Sequence, residues 1–151
     1  MSQQVVVATP ADMDLQEDPI RANWIIDGDP KARSKRLATS EDGTSWIVTW
    51  SCTAGRFHWH YFVDETVHVL SGGVVITDEK GRKRQLGPGD MAFFPTGTHS
   101  IWHVTNEVRK LAICRQSIPA PLRKCIILWN KIANRLFRHP VGGRPAAGAI
   151  G

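Results

Sequence analysis

The sequence predicts a mainly β protein, an antiparallel sandwich or barrel, on three observations. Short apolar stretches alternate with turn sequences from Trp24 to about Arg115. Turn residues such as Gly, Pro and Asp between short apolar stretches are typical of successive strands. No helical pattern separates the stretches, which argues against βαβ units. The length of 151 residues is close to that of one ordinary domain with peripheral segments.

The strands follow one another at close spacing. After WII at 24–26, the segment SWIVTWSC at 45–52 and the run Phe57–Leu70 predict the first long β segments. Val74–Thr77 and Arg82–Leu86 predict a hairpin around the turn Asp78–Gly81. MAFFP, a strand from about Ser100 to Thr105, and VRKLAICRQ complete a set of at least seven. We therefore expect one antiparallel β domain.

The two ends of the chain differ from this body. Residues 1–20 are polar and aperiodic and predict an N-terminal arm, followed by the β domain over 21–117. Apolar and basic residues recur at helical spacing from Pro121 to Arg138, which predicts a basic amphipathic helix within 118–139. The Gly/Ala/Pro-rich residues 140–151 predict a disordered tail.

Charge and composition limit the function classes. The net charge is +5, but residues 118–151 hold six basic side chains and no acid, which leaves 13 basic and 14 acidic side chains before them. The excess positive charge thus lies in one tail, without an interleaved aromatic surface that could read bases, which argues against nucleic-acid binding. No signal sequence is evident, and three scattered cysteines suit a reducing compartment. These features predict a cytoplasmic protein.

A candidate metal site lies in the middle of the chain. His58 and His60 are two residues apart on a predicted strand, so both imidazoles project from the same face. Glu65 begins the next strand, where it shares a face with Val67 and Val69. Two imidazoles and one carboxylate suit iron(II), manganese, nickel or zinc and leave coordination positions open for a substrate. A polar cluster in a barrel mouth, without metal, is the alternative interpretation.

The spacing His58-x-His60-x4-Glu65-x6-Gly72 resembles the first motif of the cupin superfamily, and Gly89-x5-Pro95-x-Gly97 resembles the opening of the second. The segments WSCTAGRF, DETVHVLSG and PGDMAFFPTGT are similar to sequences of the cupin-3 subgroup. That subgroup includes ureidoglycine aminohydrolase-like and ethanolamine-utilisation-like proteins. The resemblance spans roughly residues 24–115. It implies a jelly-roll β-sandwich, or double-stranded β-helix, a divalent metal ion, a small-molecule ligand and a homodimer.

The chain departs from the second motif at one position. Ser100 stands where cupins usually place a metal-binding histidine, and His99 comes one residue early. Strand alternation directs Ser100 and Trp102 inward and His99 outward, unless a bulge turns His99 toward the cavity. We expect the bulge, with His99 as a further ligand.

Aromatic residues could line a substrate pocket beside this site. Tyr61 and Trp102 are the candidates for contact with the ligand, although aromatic residues in a small barrel more often pack the core.

Two functions of different classes fit these features. The first is a metal-dependent hydrolase, isomerase or dioxygenase acting on a small polar metabolite. The second is a non-catalytic sensor or storage protein whose basic helix docks a partner or a membrane. That helix could cover its own sandwich, lie across a dimer, or bind peripherally to anionic lipid.

Overall fold

The computed structural model describes residues 4–136. These residues divide into two compact units between Ser117 and Ile118. The first unit holds all the strands and confirms the predicted mainly β class. The second unit holds one helix, α1, over Ala120–Leu136. The predicted disordered tail at 140–151 and the predicted helical residues Phe137 and Arg138 lie outside the described residues.

Nine antiparallel strands form the first unit within the described residues. They are, in chain order, β1 (Gln16–Glu17), β2 (Ile25–Gly28), β3 (Ala32–Thr39), β4 (Ser45–His60), β5 (Asp64–Gly72), β6 (Val74–Thr77), β7 (Lys83–Leu86), β8 (Met91–Phe94) and β9 (His99–Arg115). Short 3₁₀ turns occupy Pro10–Asp12 and Ala22–Trp24.

Two long strands, β4 and β9, pair along their whole length and extend through both layers of a jelly roll. The first half of β4 also pairs with β3. The second half of β9 also pairs with β5, and β5 pairs on its other side with β8. The second half of β4 pairs with β2, and the first half of β9 with the β6–β7 hairpin. The two halves therefore belong to different layers, and the core lies between them.

A register shift divides β4. Its pairing with β9 slips between Thr53 and Gly55. Before the slip, the buried residues Trp50 and Cys52 occupy even positions. After it, Phe57 is fully buried and Trp59 packs against the same core, so the inward positions are odd. A bulge of this kind reassigns which side chains of a strand face the interior.

The N-terminal arm is attached to the sandwich by main-chain contacts. Strand β1 pairs with β3, and Ile20 reaches the core. The guanidinium group of Arg109 on β9 donates hydrogen bonds to the carbonyl oxygens of Pro10 and Met13. These contacts hold the arm against the sheet, although its sequence does not show the apolar alternation of a strand.

Within the described residues, the second unit consists of the helix α1 and the two residues before it. Pro121 is the second residue of the helix. An N–H in the first turn has no partner within a helix, so the missing N–H of proline costs no hydrogen bond there. Among residues 4–136 no helix is long and apolar enough to cross a membrane. The basic amphipathic role of the helix stays a prediction.

Replacing Gly72 by alanine should destabilise the protein more than replacing Gly81. Both glycines have positive φ, 71° and 75°, so a side chain at either costs about 1–2 kcal/mol. A Cβ at Gly72 would also lie 2.1 Å from the carbonyl oxygen of Glu107, whereas nothing lies within 4 Å at Gly81. Overpacking adds about 1–3 kcal/mol. Urea unfolding measures both losses, and equal losses would contradict the close approach of Gly72 to β9.

Candidate functional site

The interior of the sandwich contains a buried ion pair between Glu65 on β5 and Lys110 on β9. The Lys110 Nζ atom lies 2.6 Å from Glu65 Oε1, and the two side chains are 3% and 10% exposed. Val67 and Val69 share the inward face of β5 with Glu65, as the alternation in sequence predicts. Lysine and glutamate are rarely buried unless they are paired, so this contact is a defined element of the core.

Three tryptophan rings surround the ammonium group of Lys110. Its Nζ atom lies 4.9 Å from the ring centroid of Trp50, 5.7 Å from that of Trp59 and 4.4 Å from that of Trp102. Each ring face is electron-rich and attracts a cation, by about 0.5–2 kcal/mol depending on its desolvation. The rings therefore offset part of the cost of removing the lysine from water.

A cleft of about 280 Å³ lies beside this ion pair. Glu65 and Lys110 line it together with Trp50, Trp59 and the inward residues Ala112 and Cys114 of β9. Its other lining residues come from the arm, from β3 and from the start of β4, namely Asp18, Ser34, Arg36, Trp46 and Val48. Apolar walls with a few polar groups are typical of a small-molecule site.

Three larger surface pockets lie elsewhere, with volumes of about 540, 590 and 430 Å³. The first lies between the β6–β7 hairpin and β8, and the second beside Gly72 and Glu107. The third lies beside Pro19 and Pro30. None of the three is lined by a buried charged side chain. We take the cleft of about 280 Å³ as the candidate site because, among these pockets of residues 4–136, it is the one lined by buried charged groups, Glu65 and Lys110.

The motif histidines lie on the opposite face of β4 from this cleft. Because the inward positions after the register shift are odd, Phe57 and Trp59 point inward, and His58 and His60 point outward. The ring of His60 packs against Trp24, with centroids 5.0 Å apart, and against His99, 5.5 Å apart. The predicted convergence of His58 and His60 with Glu65 is thus absent, since Glu65 bonds Lys110 inside.

The predicted inward turn of His99 is also absent. His99 and Ser100 pair with His60 and Trp59 in regular register, so no bulge occurs there. The His99 side chain is 48% exposed, with Nδ1 3.0 Å from Glu79 Oε1, while Ser100 is buried. In the part of the chain that the structure describes, no group of three or more His, Cys, Asp or Glu side chains could hold a metal ion. The donor set predicted for a divalent metal therefore does not fit.

Tyr61 and Trp102, predicted to contact the ligand, lie together in the core. Trp102 Nε1 donates to the Tyr61 hydroxyl at 2.9 Å, and that hydroxyl lies 2.8 Å from Ser100 Oγ. Burial raises the pKa of the Tyr61 hydroxyl far above its usual value. Both side chains are almost fully buried and neither lines the cleft, so they support the site from behind.

Sequence reasoning missed Lys110 and Trp59 as residues of the site. Large aromatic residues at 57, 59 and 61 alternate with His58 and His60, and this alternation alone predicts the aromatic residues inside. Lys110 occupies an inward position in VRKLAIC, where a lone cation in an apolar strand indicates a buried partner. That signal could have been paired with Glu65.

The family model of the EutQ-like cupin domain matches residues 39–112, from the end of β3 to the inward residue Ala112 of β9. The chain is a cupin of the cupin-3 subgroup. A comparison with curated proteins finds no match.

Solved structures place this cupin among jelly-roll proteins. A protein of unknown function in the DUF861 family, from Pseudomonas syringae pv. tomato, is 25% identical with a TM-score of 0.63, over 68% of this chain and 45% of that one. This cupin therefore spans less than half the length of that relative.

Two further structures share the fold alone. A putative ethanolamine utilization protein Q from Salmonella typhimurium is 21% identical with a TM-score of 0.52, over 70% of this chain and 96% of that one. The polyketide cyclase RemF from Streptomyces resistomycificus is 19% identical with a TM-score of 0.55, over 79% and 82%.

Replacing Lys110 by methionine should destabilise the protein by about 3–5 kcal/mol, because Glu65 would remain buried without a partner. The double variant Glu65→Met/Lys110→Met should recover most of this loss. Lys31→Met is the control, since the Lys31–Asp29 pair is exposed and should contribute less than about 1 kcal/mol. Chemical unfolding measures all three, and a Lys110→Met loss as small as the control would contradict a buried pair.

Alkylation by iodoacetamide at pH 8 should modify Cys125 and spare the two cysteines of the sandwich. Burial raises the pKa of Cys114 to about 11 and that of Cys52 to about 12, so both stay protonated thiols at this pH. Cys125 is exposed. Mass spectrometry should find one fast label in the native protein and none in Cys125→Ser. A fast label in Cys125→Ser would show that a sandwich thiol is reactive.

Proposed function

We propose that this cupin binds a small polar metabolite directly in the cleft, through Glu65, Lys110 and the tryptophans beside them. The observation that carries this proposal is the 2.6 Å ion pair at the base of a cleft. Removing two charges from water costs several kcal/mol unless hydrogen bonds and nearby charges compensate. A protein that needed only a stable core at this position would gain more from apolar side chains.

Two polar atoms of residues that line the cleft have no hydrogen-bond partner within residues 4–136. The hydrogen bonds among residues 4–136 use only Oε1 of Glu65, so Oε2 can accept from a ligand. Trp50 is 4% exposed, and its Nε1 donor has no hydrogen-bond partner among residues 4–136. The same holds for Thr49 Oγ1, which lies on the other face of β4. A buried donor without a partner costs about 1–3 kcal/mol, which a ligand acceptor would recover.

A divalent metal ion, Mn, Fe, Ni or Zn, held by His58, His60, Glu65 and His99 is the alternative. The donor placement favours direct binding, because three of these side chains lie outside the sandwich and Glu65 lies inside. Direct binding suits a sensor or storage role, and no reaction is proposed. The homodimer, the peripheral membrane contact through the helix and the cytoplasmic location stay predictions.

Glu65→Gln and Trp50→Phe should each weaken ligand binding at least about tenfold, because each removes one hydrogen-bonding group of the cleft. A panel of amino acids, hydroxy acids, small amides and sugar acids, screened by thermal shift, identifies a ligand of the wild-type protein. Titration calorimetry then compares the variants, with circular dichroism to confirm that each is folded.

His58→Ala and His60→Ala are the matched controls, since they alter the same motif on the outer face. We expect both to bind the ligand as the wild type does, and all five proteins to hold no stoichiometric transition metal by elemental analysis. Stoichiometric metal that is lost in His58→Ala or Glu65→Gln would overturn the proposal in favour of the metal site.

A further inference from the structure

The charges around the cleft form two sets that differ in pairing. Glu65 and Lys110 neutralise each other at the base. Asp18 on the arm and Arg36 on β3 also line the cleft, and neither forms an ion pair with any of residues 4–136. The Arg36 guanidinium lies over the ring of Trp46, 5.0 Å from its centroid. Asp18 and Arg36 thus present one anion and one cation to the cleft, and the two do not form an ion pair with each other.

The hydrogen-bonding groups of the base have the same dual character. Trp50 Nε1 is a donor without a partner, and Trp50 is more than nine-tenths buried beside the cleft. Glu65 Oε2 is an acceptor on a carboxylate whose other oxygen is held by Lys110. A ligand that satisfies both must carry an acceptor and a donor close together.

The size and walls of the cleft restrict the rest of the ligand. A volume of about 280 Å³ is just below the range of about 300–1,000 Å³ that is typical of sites for drug-sized molecules. Trp46, Val48 and Trp59 supply apolar wall surface. The cleft therefore suits a compact molecule with a short apolar part.

We propose that the ligand is a zwitterion of amino-acid size, whose carboxylate faces Arg36 and the Trp50 N–H and whose ammonium group faces Asp18 and Glu65. This inference rests on the proposed function and specifies its ligand class. A molecule with only one of these charges would leave either Asp18 or Arg36 without a counter-charge and would bind more weakly.

Two matched sets of probes test the class. The first set is phenylalanine, hydrocinnamate, which lacks the ammonium group, and phenethylamine, which lacks the carboxylate. The second set is leucine, isocaproate and isoamylamine, with the same relations. In titrations of the full chain, we expect at least one of the two amino acids to bind tenfold or more tightly than both of its singly charged counterparts.

Two charge-removing variants assign each group to its partner. Arg36→Gln should weaken binding of the amino acid and of the acid at least threefold and leave the amine unchanged. Asp18→Asn should weaken the amino acid and the amine and leave the acid unchanged. Lys35→Gln and Glu17→Gln are the controls, since they remove the same charges from neighbouring residues that do not line the cleft.

The possible results distinguish a failure of the proposed zwitterion from a failure of the proposed binding in the cleft. If an acid or an amine binds as tightly as its amino acid, and Glu65→Gln abolishes that binding, the zwitterion is overturned and the binding cleft stands. The zwitterion is also overturned if none of the six probes binds, or if Arg36→Gln and Asp18→Asn both leave amino-acid binding unchanged. A ligand found in the wider panel whose binding is insensitive to Glu65→Gln overturns the cleft as well.

Discussion

The ion pair between Glu65 and Lys110 is the constraint around which the interior of this cupin is arranged. A lysine this deeply buried requires both a counter-ion and polarisable neighbours, and Glu65, Trp50, Trp59 and Trp102 supply them. One interaction thus accounts for the aromatic core and for the polar base of the cleft.

The register shift in β4 decides which chemistry faces that interior. Without the slip between Thr53 and Gly55, the even positions after it would point inward and would bring His58 and His60 toward Glu65. With it, Phe57 and Trp59 take those places. Gly55 permits the close packing at this point, because a Cβ there would lie 2.7 Å from the ring of Pro30.

Local patterns predicted those parts of the fold that depend on neighbouring residues. The strand Val74–Thr77 has the predicted bounds, and Glu65 points inward with Val67 as alternation requires. Local alternation also gives the observed faces of His99 and His58, since it directs His99 outward and the aromatic residues beside His58 inward. What it does not give is the register shift in β4, which depends on pairing between strands that are distant in sequence. Motif spacing specified the residues of a metal site but not the face that each occupies. The pairing of Glu65 with Lys110, 45 residues later, likewise requires the assembled sheet.

The attachment of the arm has a consequence for how this chain can vary. The hydrogen bonds from Arg109 to Pro10 and Met13 use carbonyl oxygens, which every amino acid possesses. Substitutions between these two positions therefore leave the attachment chemically intact, whereas inserting or deleting a residue there would move one carbonyl away from the guanidinium group. The contact with Arg109 thus constrains the length of this segment more than its composition, whereas Asp18 is placed separately, by the pairing of β1 with β3 and the hydrogen bond from its own N–H to Ala32.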